Sequence, residues 1–295
     1  MRYIRLIAVG AILLTAAGCF AQEEPFLVWM GKEAIKIGMQ VAAAKLVDRL
    51  TAAPAAPPDS PQGEFNKGLA YQNGNGVPKD PEKALTWFEK AAGHEYADAQ
   101  CILGDHYVEL QNYPKALEWY QRAASHINAW GQYHVGYLLD GQFPGVTQNR
   151  FTATHWMEKA AEQSWLQVQY IVGVRYATGT GAQQNPQESA KWFEMAAAGG
   201  YAPAQSALAV AYGNGFGRPQ DQQQAMLWAR RAADQGEANA EFNLGASYEN
   251  GRGVPVDNCQ AVWWYRKAAA QGDQEAQQAL DRISRRVLLG ACAFR

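Results

Sequence analysis

The chain lacks the short motifs by which hydrolytic or metal chemistry is usually recognised. No H-E-x-x-H occurs, and the five histidines show no other ligand spacing, so no metal site is expected. S-x-x-K, K-T-G and G-x-S-x-G are missing too, which removes the common serine-nucleophile signatures. Cysteine is scarce, with four residues in 295, at Cys19, Cys101, Cys259 and Cys292. Charge of neither sign dominates: 26 Lys and Arg stand against 28 Asp and Glu. No basic stripe runs along the chain, so nucleic-acid binding is not expected. Beyond the first residues there is no second membrane segment. No catalytic residue and no cofactor is expected.

What the chain has in quantity is repetition. Trp87, Trp119, Trp156, Trp192, Trp228 and Trp264 recur, the last four at intervals of 36 residues. Asp or Asn stands seven positions before each, from Asp80 to Asp257, and an Ala-Ala pair follows four after, from Ala91-Ala92 to Ala268-Ala269. A unit of this length is one supersecondary element that buries its apolar face by stacking on its neighbours. In the stretch from Ala238 to Tyr248, residues Ala240, Leu244 and Tyr248 fall four apart, on one helical face. Gly68, Gly104, Gly136, Gly173 and Gly245 sit inside these first helices, where glycine costs about 1 kcal/mol, which implies close packing by the second helix. Paired glycines such as Gly74 and Gly76, or Gly251 and Gly253, then turn the chain. The Asp or Asn caps the second helix, Pro81 and Pro186 begin it, and the tryptophan is expected to point inward.

The pattern A-x-A-Q-x-x-L-G-x-x-Y-x-x-G-x-G-V…A-x-x-W-[YF]-x-[KR]-A-A-x-x-G resembles the Sel-one-like repeat, a cousin of the tetratricopeptide repeat. The resemblance implies an all-α, right-handed solenoid of six stacked helix-turn-helix units over 61–273, with a capping helix over 274–295. The second copy has a shortened loop, Leu110-Gln111-Asn112, and the third carries Leu139 for the usual tyrosine and a longer loop from Gly141 to Gly145.

The N-terminus reads as an export signal. Arg2 and Arg5 precede an apolar run from Leu6 to Ala17. Residues 1–18 end in Ala16-Ala17-Gly18 before Cys19, which resembles a bacterial lipobox. That resemblance implies lipidation of Cys19 and anchoring to the outer membrane from the periplasmic side. Cleavage after Ala21, leaving a soluble periplasmic protein, is the alternative. Residues 19–60 read as a helix followed by a proline-rich linker. In an oxidising compartment Cys259 and Cys292 could form a staple between last repeat and cap, or stay as small buried apolar residues.

By analogy with tetratricopeptide units, the first helices line a concave groove. Trp130, Tyr133, Tyr137 and Tyr170 fall at groove positions, with Asp98, Asp105, Glu109 and Asp140 beside them. Aromatics are enriched at binding hot spots, and carboxylates favour a partner rich in Lys or Arg; the same rings could instead fill gaps in the irregular repeats. The expected role is non-catalytic protein binding in the bacterial envelope. Exported Sel-one-like repeat proteins resemble immunity proteins that neutralise type VI phospholipase toxins, which implies a toxin as partner. An envelope assembly scaffold or signalling regulator is the second reading, and a hydrolase the remote third.

Overall fold

The computed structural model describes residues 57–287, with side chains through Ile283. The expected export signal and N-terminal helix, with Cys19 and Cys292, lie outside the described residues, as do the side chains of Arg285 and Arg286. The described chain is all helical, with no strand, and divides into two compact units meeting after Gln163.

The first unit holds three helix pairs: α1 (Pro61–Asn73) with α2 (Pro81–Gly93), α3 (Ala97–Glu109) with α4 (Tyr113–Ser125), and α5 (Ala129–Asp140) with α6 (Arg150–Ala161). The second holds α7 (Leu166–Thr178) with α8 (Pro186–Ala198), α9 (Ala202–Asn214) with α10 (Gln222–Asp234), α11 (Ala238–Asn250) with α12 (Asn258–Ala270), and a last helix α13 (Gln274–Val287). Partners within a pair run antiparallel: Glu64 faces Lys90 while Lys67 lies over Trp87, so numbers rise on one helix as they fall on the other. Pairs stack into an α-solenoid within each unit.

Local chemistry explains the elements. Each second helix is capped by the expected residue. Asp80 accepts from the Lys83 N–H at 3.0 Å, Asn149 from Thr152 at 3.0 Å, and Asp257 from Cys259 and Gln260 at 2.9 and 3.0 Å; Asn112, Asn185 and Asp221 do the same. Each cap residue also donates its own N–H back to the first helix, as Asp80 does to the Tyr71 carbonyl and Asp257 to that of Tyr248, both at 2.9 Å. Gly251 and Gly253 carry the turn at φ of 67° and 70°, a left-handed conformation that L side chains resist.

The core corrects one expectation. Of the six signature tryptophans only Trp192 and Trp264 are buried; Trp87, Trp119, Trp156 and Trp228 are half-exposed. A Lys or Arg stands three positions on in five of the six copies. Lys90, Arg122, Lys159, Arg231 and Lys267 each sit over the tryptophan one turn before, 4.5 to 5.2 Å from the ring centre. The pairing holds in water for four of these rings and under cover for Trp264, which is 1% exposed beneath Lys267.

The residue after the tryptophan fills the interior instead. Phe88, Tyr120, Met157, Phe193 and Tyr265 are all buried, and each packs on the mid-helix glycine of its own repeat. A Cβ on Gly68 would lie 2.5 Å from the Phe88 ring, and one on Gly245 would lie 2.6 Å from Tyr265. Repeat five departs by exchanging both members, with Ala209 at the glycine position and Ala229 at the ring position.

A polar ladder runs beside this core. Four residues before the glycine position stand Glu64, Gln100, Gln132, Gln169, Gln205 and Glu241, all buried. Gln132 accepts from Gln163 at 2.8 Å, Gln205 from Gln235 at 2.8 Å and Glu241 from Gln271 at 2.8 Å. Each bond ties the start of a first helix to the end of its own second helix. In the first repeat Lys90 and His94 take that place, both near 2.9 Å from Glu64. At the C-terminal end, Ala276, Ala279, Leu280 and Ile283 of α13 pack on Ala261, Val262, Tyr265 and Ala268.

Candidate functional site

Seven of the eight groove residues lie together in the first unit, on α3 and α5. Asp98 is half-exposed near the start of α3 and accepts from the Asn128 side chain at 2.9 Å; the same Asn128 accepts from the Cys101 thiol at 3.3 Å. Glu109, at the end of α3, is exposed. Between them Asp105 points inward. It accepts from the Tyr120 hydroxyl at 2.6 Å and from the Trp130 indole at 3.4 Å.

Burial raises the Asp105 carboxyl to about 6, against the lowering effect of those two donors. Its role is thus an internal acceptor rather than a charge turned to solvent. The folded chain holds this proton up to about pH 6, whereas an unfolded aspartate releases it near 4. A raised acid contributes stability that is full below the unfolded value and is lost as pH climbs through the folded one. Stability is therefore expected to fall between about pH 4 and 6 by as much as ~3 kcal/mol from this group. Asp105→Asn should flatten that slope in denaturation curves taken across the range, and an unchanged slope would show that the group is ionised in the fold.

The aromatic residues are placed unequally. Trp130 is half-exposed, while Tyr133 is 3% exposed, Tyr137 9% and Asp140 8%. They surround His134, itself buried: Tyr120 stacks on it at 4.7 Å, and Trp130 tilts against it at 4.4 Å. Burial lowers His134 to about 3, so the ring stays neutral at physiological pH. Phe143 of the long third loop tucks in beside Tyr113 and Tyr137, at 4.7 and 5.3 Å. Trp130 is the ring that presents a surface. Tyr170 belongs to the second unit, against Phe193 and Tyr201 at 5.7 and 5.6 Å, with its hydroxyl raised by burial.

Among the described residues no group of three His, Cys, Asp or Glu side chains could hold a metal ion, and no helix is long and apolar enough to cross a membrane. Cys101 is buried as a free thiol, and Cys259 is disulfide-bonded. A cleft in the second unit, between repeats five and six, was not singled out by the sequence. Its signal was there to read, in the paired alanines Ala209 and Ala229.

Comparison with known proteins agrees with this architecture. The Sel1 repeat matches six times, at residues 61–94, 97–127, 131–165, 166–201, 202–237 and 238–273. Among solved structures, a protective antigen of uropathogenic Escherichia coli with an SLR fold is 33% identical with TM-score 0.69, over 76% of this chain and 48% of that one. A Sel1 repeat protein from Oxalobacter formigenes is 34% identical with TM-score 0.59, over 76% of this chain and 66% of that one. The chain thus spans about half the length of the first and about two thirds of the second. An immunity protein of Pseudomonas aeruginosa is 21% identical with TM-score 0.39, over 75% of this chain and 85% of that one. No curated protein matches significantly. With six repeats matched over most of its length, the chain belongs to the Sel1 repeat family.

Proposed function

We propose that the chain is a non-catalytic protein-binding module of the bacterial envelope, and that its partner docks on the first-helix face of the first unit. One observation carries this reading. The half-exposed indole of Trp130 donates to Asp105, whose carboxyl lies within electrostatic reach of exposed Glu109, and Asn128 at the start of the same helix donates to Asp98. The repeat pattern does not call for a tryptophan there. An aromatic anchor bordered by carboxylates suits a protein surface bearing Lys or Arg. Tyr133, Tyr137 and Asp140 support this face from beneath, and Asp105 fixes the indole. Tyr170 is a contact residue only if the partner also reaches the second unit.

In its most specific form the partner is a secreted toxin such as a type VI phospholipase, and the chain is its inhibitor. The motive is the export signal joined to this repeat type. The test uses a purified type VI phospholipase toxin: stoichiometric addition of purified chain should abolish lipid hydrolysis. Trp130→Ala should weaken binding by roughly 1–3 kcal/mol, and Glu109→Lys should slow association most at low salt. Tight binding without loss of lipase activity would point to a scaffold instead. We further propose a lipid anchor on Cys19, which Cys19→Ser should abolish, and Cys292 as the disulfide partner of Cys259, which non-reducing peptide mapping decides.

A further inference from the structure

The second helices of repeats five and six differ from the others at two exposed positions. The residue before the signature tryptophan is Thr86, Glu118, His155 and Lys191 in repeats one to four, then Leu227 and Trp263. The residue two after it is Glu89, Gln121, Glu158 and Glu194, then Arg230 and Arg266. These two positions are three apart, so they lie side by side on one helical face. A polar and mostly acidic face thus becomes apolar and basic in two consecutive repeats. The change is at the surface: Leu227 is 44% and Trp263 41% exposed, and Arg230 and Arg266 are exposed with them.

Repeat stacking does not call for this change. The interior rows of α10 and α12 are already filled by Ala229 and Ala232, and by Ala261, Tyr265 and Ala268, all buried. Arg231 and Lys267 lie over Trp228 and Trp263 at 4.5 and 4.6 Å, and bring the cations of the two helices to four. Lys267 also reaches buried Glu241 at 3.4 Å. The one acid within α10, Asp234, is paired with Arg230 at 3.4 Å, and α12 has none. By contrast α2, α4, α6 and α8 each carry at least one glutamate. Tryptophan and leucine beside arginine and lysine form the set that suits an anionic lipid surface. The indole settles at headgroup level, the leucine enters the acyl boundary, and the cations reach phosphate while their stems stay on apolar groups. An acidic protein would meet the same cations, but one sign of charge spread over two helices fits an extended anionic surface better than a protein of mixed charge.

We infer that the exposed face of α10 and α12, made by Leu227, Arg230, Arg231, Trp263, Arg266 and Lys267, docks on the surface of an anionic phospholipid bilayer. Leu227 and Trp263 enter the interface, and the four cations lie at the level of the phosphates. The face belongs to the second unit and shares no residue with the Trp130 face of the first, so either reading can fail without the other. It does not depend on acylation of Cys19.

The experiment is co-sedimentation with vesicles of phosphatidylcholine, alone or mixed with phosphatidylglycerol. It uses the chain from Cys19 onward without an acyl group, which keeps every described residue. Binding to the anionic vesicles should be at least about tenfold tighter than to phosphatidylcholine alone, and should fade when salt is raised to about 500 mM. Leu227→Ser with Trp263→Ser should weaken it about tenfold through lost insertion. Arg230→Glu with Arg266→Glu, which restores the acid of the earlier repeats, should abolish the preference for anionic vesicles. His155→Ala, at the matching position of repeat three, should bind as the parent does. Circular dichroism checks that each variant is folded; should the serine pair fail to fold, the glutamate pair decides alone. Equal binding to both kinds of vesicle, unchanged binding in either paired variant, or an equal loss in His155→Ala would overturn the inference. So would absence of sedimentation with anionic vesicles at low salt, which would leave the face to an acidic protein.

Discussion

Tyr265→Ala and Tyr120→Ala are each expected to lose about 3–5 kcal/mol of stability, the cost of truncating a large buried aromatic. Both rings are 1% exposed and pack against a glycine of the first helix. Tyr120→Ala also leaves Asp105 without its shortest donor. Trp87→Ala and Trp119→Ala should cost only roughly 1–2 kcal/mol, because each ring is half-exposed and shares its face with a cation. Urea denaturation followed by circular dichroism ranks the four. If the tryptophan variants prove the more damaged, the signature tryptophan and not its neighbour is the core residue.

Gly245→Val is the second large effect. On an exposed helix face valine is the better helix former by a few tenths of a kcal/mol, so propensity alone predicts a gain. Here the new Cβ would meet the Tyr265 ring at 2.6 Å, and forcing the helices apart should cost on the order of 3 kcal/mol. The collision is specific to the pair. Gly245→Ala should cost far less in a Tyr265→Ala background than in the parent, with a coupling of about 1–3 kcal/mol. Repeat five already carries that exchange, with Ala209 at the glycine position and Ala229 at the ring position. Additive costs would show that glycine and ring do not touch.

Much of this was legible in the sequence, and the reasons are local. The cap residues Asp80 through Asp257 and the paired glycines announce helix ends, because their chemistry acts within a few residues. The mid-helix glycines announced a close approach but not its occupant. The tryptophan looked like the core residue because it is the largest and most regular; it is fully buried in two of six copies, while Trp119, Trp156 and Trp228 pack against the core and stay partly exposed. The Lys or Arg one turn later accompanies the ring without deciding its exposure, since Trp264 is buried beneath Lys267. The ladder from Glu64 to Glu241 was in the pattern as a recurring glutamine, yet its burial depends on a bond to the far end of the second helix.

The groove was less legible. Helix periodicity placed Tyr133, Tyr137 and Trp130 on the first helix of the third repeat, but those residues diverge in exposure. The irregular third loop sends Phe143 over Tyr137, and His134 draws the other rings around it. Asp105 read as a surface carboxylate until Tyr120 and Trp130 were seen to donate to it.

The interlock of ring and glycine is tested most directly by restoring it where it is missing. Ala209→Gly with Ala229→Tyr installs the common pair in repeat five. The glycine costs about 1 kcal/mol in helix propensity, and a buried tyrosine ring recovers roughly 2–3 kcal/mol. The urea midpoint of the double variant should therefore rise, and by more than Ala229→Tyr achieves on its own, because only the glycine gives the ring room. A double variant that unfolds earlier than the parent, or a single Ala229→Tyr that does as well as the pair, would contradict it.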